Sequence, residues 1–160
     1  MNRTNDRSPV RSILIVEDSE TCSSTLEVAL SSIEGHVVRT AATGEQALAI
    51  LNAHHTAIVV TDLHLPGLSG FDLIRTIRST PQYGRPVIVV TSGDADPDTP
   101  EFVRTLGADA FFPKPYSPVE LRLTLERLIH AKQAIADLCI LPDADADGPG
   151  PVEADSRPSR

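Results

Sequence analysis

Three continuous apolar runs stand out along the chain: Ile13-Leu14-Ile15-Val16, Ala57-Ile58-Val59-Val60 and Val87-Ile88-Val89-Val90. A shorter one follows at Ala110-Phe111-Phe112. Unbroken runs of this length, rich in β-branched residues, predict strands buried on both faces. His36-Val37-Val38-Arg39-Thr40-Ala41 alternates less cleanly and predicts a more exposed strand at a sheet edge. Between the runs the period changes to that of a helix. Leu26, Leu30 and Ile33 mark a first helix, capped by Ser19 and ended by Gly35. Thr43-Gly44-Glu45-Gln46 opens a second, which carries Ala47, Leu48 and Leu51 and closes near His54-His55.

Leu73, Ile74 and Ile77 form the stripe of a third helix, from Phe71 to about Ser79. A turn at Tyr83-Gly84-Arg85-Pro86 precedes the fourth strand, and the loop Asp94 to Pro100 follows it. Phe102, Val103 and Leu106 pattern a fourth helix that Gly107 stops in the left-handed conformation. The fifth helix has Ser117 as cap, Pro118 in first position and Glu120 as the capping-box acid. Five strands alternating with five helices predict an α/β domain with a parallel sheet covered on both sides.

Composition narrows the function classes. A chain of 160 residues with 41% hydrophobic and 22% charged residues suffices for one domain. The net charge of −8 argues against a nucleic-acid or anionic-membrane surface, and no stretch has the length and apolarity of a membrane span. The first residues lack the apolar centre of a secretory signal, so a cytoplasmic location is expected. Cys22 and Cys139 show no metal-ligand spacing and read as reduced thiols. We expect a flexible N-terminus over 1–10, a domain over 11–141 with an extended last helix, and a disordered tail over 142–160. Four prolines, five acidic residues and no aromatics underlie the last expectation.

A parallel sheet delivers every strand's C-terminal end to one edge, and ligands bind there. Arriving at that edge are Glu17 and Asp18, then Asp62, then Thr91 and Ser92, then Lys114. Three carboxylates brought together repel unless a cation sits among them. Mg²⁺ suits such hard oxygen donors, and no Cys/His cluster offers a zinc site. Lys114 and the Thr91 hydroxyl add a charge and a donor for phosphoryl oxygens. Asp62 is then the nucleophile, forming an acyl phosphate, while Glu17 and Asp18 hold the metal.

The stretches Ile13–Asp18, Thr61-Asp62-Leu63-His64-Leu65-Pro66-Gly67 with Gly70, Val89-Val90-Thr91-Ser92 and Phe112-Pro113-Lys114-Pro115 together resemble the receiver domain of bacterial two-component response regulators. The resemblance covers about residues 11 to 133 and implies a flavodoxin-like, doubly wound sheet of strand order 2-1-3-4-5. It implies that Asp62 accepts phosphate from a sensor histidine kinase or a histidine phosphotransfer protein, with Mg²⁺ required. It further implies that Glu17, Asp18, Asp62 and the backbone carbonyl of His64 hold the metal. Thr91 matches the switch hydroxyl, with Ser92 beside it, Lys114 the phosphoryl-binding lysine and Phe111 the switch aromatic. The Lys114–Pro115 bond is the implied cis peptide. Glu17 stands where aspartate is frequent in that family.

Other classes fit less well. A haloacid-dehalogenase-type phosphatase needs a second Asp two residues after the first, where this chain has His64. An FMN carrier of the same fold binds phosphate after the first strand, where Glu17-Asp18 would repel it. A P-loop enzyme needs a Gly-Lys-Ser/Thr run that is absent. A receiver-shaped scaffold that takes no phosphate is the remaining alternative. The expectation is a stand-alone phosphoacceptor switch, not a classical enzyme, whose output partner docks on the fourth helix, fifth strand and fifth helix. The apolar pattern of the last helix continues through Ile135, Leu138, Cys139, Ile140 and Leu141, which suggests contact with a partner or a second copy.

Overall fold

The computed structural model describes residues 10–138. The expected flexible start, the tail from 142 and the stretch Cys139-Ile140-Leu141 lie outside the described residues. Five parallel strands, β1 (Arg11–Val16), β2 (His36–Ala41), β3 (Thr56–Asp62), β4 (Val87–Ser92) and β5 (Ala110–Pro113), form one sheet in the order β2-β1-β3-β4-β5. Five helices connect or follow them: α1 (Glu20–Leu30), α2 (Gly44–Ala53), α3 (Gly70–Ser79), α4 (Thr99–Leu106) and α5 (Pro118–Leu138). This is the flavodoxin-like order expected from the sequence.

The apolar runs are two-sided because successive strand residues face opposite ways. Leu14 and Val16 of β1, Val59 of β3 and Ile88 and Val90 of β4 pack with Leu51, Leu73, Ile74 and Val103 from α2, α3 and α4. Ile13, Ile15, Ile58, Val60, Val87 and Val89 face the other way, onto Leu26 and Leu30 of α1 and Leu121 and Leu125 of α5. β2 is half-exposed at its edge, as its weaker pattern implied. Among the described residues no helix is long and apolar enough to cross a membrane.

Two local expectations need correction. Helix α1 stops at Leu30, not at Gly35. Ser31 ends it, its amide and hydroxyl both donating to the Glu27 carbonyl, at 2.9 and 2.6 Å. Ile33 therefore lies beyond the helix and reaches the core from the following turn. The turn before β4 begins earlier than expected, with a 3₁₀ segment at Pro81–Tyr83. Gly107 ends α4 with φ at 109°, as expected. Ser117 caps α5, accepting from the Glu120 amide at 3.3 Å.

The turn after β3 fixes the nucleophile candidate's position. Gly70 donates its amide to the Leu63 carbonyl at 2.9 Å, and Ser69 caps α3. A Cβ at position 70 would stand 2.1 Å from the Asp62 carbonyl oxygen and 2.7 Å from the Leu63 Cα. Both obstacles are backbone, so the strand end itself must move. Gly70→Ala is expected to cost about 2–3 kcal/mol, the range for overpacking. Urea unfolding checks it, and a change under about 0.5 kcal/mol, the size typical of an exposed surface substitution, would show that the turn yields freely.

Candidate functional site

The C-terminal ends of β1, β3 and β5 bring Glu17, Asp62 and Lys114 into direct contact. The Lys114 ammonium donates to Asp62 Oδ2 at 2.7 Å and to Glu17 Oε2 at 2.9 Å. Both acids are buried, Glu17 at 4% and Asp62 at 7% exposure. Burial disfavours the Lys114 charge, but the hydrogen bonds it donates to Asp62 and Glu17, with their negative charges, outweigh it and push its pKa well above the ordinary 10.5. The remaining carboxylate oxygens are also held: Glu17 Oε1 accepts from the Ser19 amide and Asp62 Oδ1 from the His64 amide, each at 3.1 Å.

Asp18 completes an acidic cluster. One carboxylate oxygen from each of Glu17, Asp18 and Asp62 lies within 4.8 Å of the others. Asp18 is exposed and stands at the mouth. Three hard oxygen donors at this spacing, with further lone pairs on each oxygen, fit a Mg²⁺ ion. Lys114 supplies a single charge for two buried acids, so the cluster keeps a net negative charge for a divalent ion to neutralise.

Thr91 is buried beside the cluster, paired with Asp62 across β3 and β4. Ser92 is also buried, but its hydroxyl accepts from the Asp94 amide at 3.0 Å and its carbonyl from the Lys114 amide at 2.8 Å. It shapes the two loops rather than meeting the carboxylates. Phe111, half-buried on β5, packs with the core layer under α2, α3 and α4. The Lys114–Pro115 peptide is cis, as the resemblance implied. The His64 side chain is exposed, and its Nε2 lies 3.6 Å from Asp94 Oδ2.

Two supports of the site were not apparent in the sequence. Glu45 of α2 accepts from the Leu68 amide at 2.9 Å, which ties down the loop after Asp62. Gly67 has φ at 75° there, and a Cβ would stand 2.6 Å from the Glu45 carboxylate. Tyr116, half-buried after the cis proline, packs edge-on against Phe112. The first rests on residues 23 apart and shows only in three dimensions. The only sequence signal for Tyr116 is an aromatic two residues past Lys114.

Residues 13–126 match the family described as the response regulator receiver domain. The chain belongs to that family. Among curated relatives, the sensory transduction protein RegX3 of Mycolicibacterium smegmatis is 39% identical over 110 residues, covering 69% of this chain and 46% of that protein. The transcriptional regulatory protein AfsQ1 of Streptomyces coelicolor is 38% identical over 104 residues, covering 65% and 44%. This receiver chain thus spans about half the length of the curated relatives it matches. Among solved structures, the chemotaxis response regulator CheY4 of Vibrio cholerae superposes with a TM-score of 0.67 at 27% identity, over 74% of this chain and 98% of that one. A response regulator structure from Chloroflexus aurantiacus gives 0.69 at 28%, over 75% and 98%. Family membership makes this a domain of two-component signalling whose acidic site is of the kind that takes Mg²⁺.

Proposed function

We propose that this receiver is a phosphoacceptor switch in which Asp62 takes a phosphoryl group from a sensor histidine kinase or a histidine phosphotransfer protein. The observation that carries the reading is the Asp62 carboxylate at the sheet edge, bridged by Lys114 to Glu17 with Asp18 alongside. An Asp62 oxygen forms a bond to phosphorus as the phosphorus–nitrogen bond of the donor phosphohistidine breaks. The electron pair returns to the imidazole nitrogen, which takes up a proton. Hydrolysis by water then restores the carboxylate and releases phosphate.

Glu17, Asp18, Asp62 and the His64 backbone carbonyl would hold Mg²⁺, which when bound neutralises charge on the phosphoryl oxygens. Lys114 would bind a phosphoryl oxygen, exchanging a carboxylate partner for a phosphate one. The His64 amide keeps the acceptor carboxylate oriented. Thr91 donates its hydroxyl to the phosphoryl group, and Phe111 follows the Thr91 segment as the equilibrium between two arrangements shifts. Ser92 acts in that segment through its bond to Asp94.

The output face is that of α4, β5 and α5, with Val119 and Leu123 of α5 exposed. The switching domain runs over 11–141 in a cytoplasmic protein, and neither nucleic acid nor membrane is its direct ligand, which accords with the net charge of −8. Incubation with acetyl phosphate and Mg²⁺ tests the reading. Intact mass should rise by one phosphoryl unit of about 80 Da in the wild type and not in Asp62→Asn, as covalent capture on that carboxylate requires. An equal increment in the variant would show that another residue is labelled, and no increment in the wild type would favour the scaffold reading.

A further inference from the structure

The geometry points to a docking site for the chain's own acidic segment, residues 143–155, in a cationic groove at the sheet edge opposite Asp62. This inference is independent of the phosphoacceptor reading.

Both chain ends leave the fold at that edge, because β1 begins there and α5 runs back down to it. The last turns of α5 overhang the starts of β1, β3 and β4 and enclose a groove of about 360 Å³. Its walls include Ala57, Val87, Ile129 and Ala136, while Arg11, Arg85 and Lys132 supply its charge. The Lys132 ammonium donates to the Arg85 carbonyl, which gathers two of the cations. Burial, and the nearby guanidinium groups of Arg78, Arg85 and Arg11, lower the Lys132 pKa, with only Asp109 opposing. Asp109 is already engaged by Arg78 at 3.0 Å and by the Ile88 amide at 2.8 Å. Asp137 is the one acid lining the groove itself. A concentration of positive charge in a chain of net charge −8 therefore lacks matching anions.

The matching anions lie just downstream in the sequence. Asp143, Asp145, Asp147, Glu153 and Asp155 follow Leu138 by 5 to 17 residues, against two arginines at 157 and 160. Lys132 stands six residues before the helix end, about 9 Å back along the axis. Even where the apolar helix pattern runs on to 141, which puts Lys132 about 14 Å back along the axis, the six residues 142–147 can reach about 20 Å, so Asp147 comes within range of Lys132. The alternation Asp-Ala-Asp-Ala-Asp puts the carboxylates on one side of an extended segment and methyl groups on the other, which suits a groove with a charged rim and apolar wall. Tethering raises the local concentration into the millimolar range, so pairs that are individually weak suffice.

The test uses the full-length chain with Cys22→Ser and Cys139→Ser and a nitroxide attached at Gly150→Cys. At about 50 mM salt the amide signals of Arg11, Arg85 and Lys132 should lose more than half their intensity, and those around Asp62 should not. At about 0.5 M salt, where the screening length falls to a few ångströms, the intensity should return. It should also return in Asp143→Asn/Asp145→Asn/Asp147→Asn and in Arg85→Glu/Lys132→Glu, provided their amide spectra remain those of the folded domain. Broadening that is absent at Arg11 and Arg85, or that survives the asparagine substitutions, overturns the inference. So does broadening that appears when a spin-labelled, unenriched chain is mixed with a ¹⁵N chain carrying no label, since the segment would then dock on a second copy.

Discussion

Lys114→Met is expected to lower thermal stability and slow phosphoryl uptake together, because one ammonium serves both ends. In the resting protein it separates two carboxylates that are 2% and 10% exposed at their side chains. Without it, Glu17 and Asp62 face each other with no cation between them. Breaking a buried ion pair costs about 3–5 kcal/mol, but the lysine side chain keeps 26% exposure, so solvent screening brings the cost below that range, to about 2 kcal/mol. That corresponds to roughly 8 °C in Tm for a domain of this size. Because the folded pKa of Lys114 is raised above 10.5, its contribution is complete below that pH and fades only as pH rises through the folded value. The Tm gap between wild type and Lys114→Met should therefore stay flat from neutral pH to about 10. Adding Mg²⁺ should recover more Tm in the variant than in the wild type, since the unpaired acids bind a cation more tightly. Labelling by acetyl phosphate should slow by about 10²-fold, the usual loss when one charge-stabilising donor is removed. A variant that is destabilised but labels at the wild-type rate would assign Lys114 a purely structural role.

The second large effect concerns the acids at the end of β1. Glu17→Gln combined with Asp18→Asn removes two negative charges from the cluster and leaves Asp62 in place. Glutamine retains an acceptor for the Ser19 amide, so the turn into α1 should persist. Mg²⁺ affinity, read by isothermal titration or by the metal dependence of Tm, should fall by at least about 10²-fold, and labelling of Asp62 should fall with it. Unchanged labelling in this double variant would place the metal elsewhere.

The fold was legible because each layer of the sequence points the same way. Unbroken apolar runs such as Val87–Val90 declared buried strands, and Gly107 and Ser117 marked helix ends that the structure reproduces. The site was legible for a topological reason. Glu17 and Lys114 are 97 residues apart, yet a parallel sheet must deliver both strand ends to one edge. The end of α1 was not legible, because Ile33, which continues the apolar spacing toward the glycine that looks like the stop, reaches the core from the turn after Ser31 rather than from the helix. Glu45 and Arg78 were not legible either. Each satisfies backbone groups of a distant loop, Glu45 at Leu68 and Arg78 at Pro86 and Gly107. An ordinary helix-face charge gives no sign of such a task. Ser92 stands beside Thr91 in the sequence, but that its hydroxyl accepts from the Asp94 amide depends on how the loop turns and was not legible.

The claim that the Asp62 carboxylate carries the phosphoryl group is tested most directly by locating the bond. Brief treatment of the phosphodonor-reacted protein with borohydride reduces an acyl phosphate to the alcohol, which converts an aspartyl phosphate into homoserine. Peptide mass mapping should find homoserine at position 62, and only when Mg²⁺ accompanied the donor. Homoserine at position 18 or 72, or none at all after a donor reaction that raised the intact mass, would contradict the account.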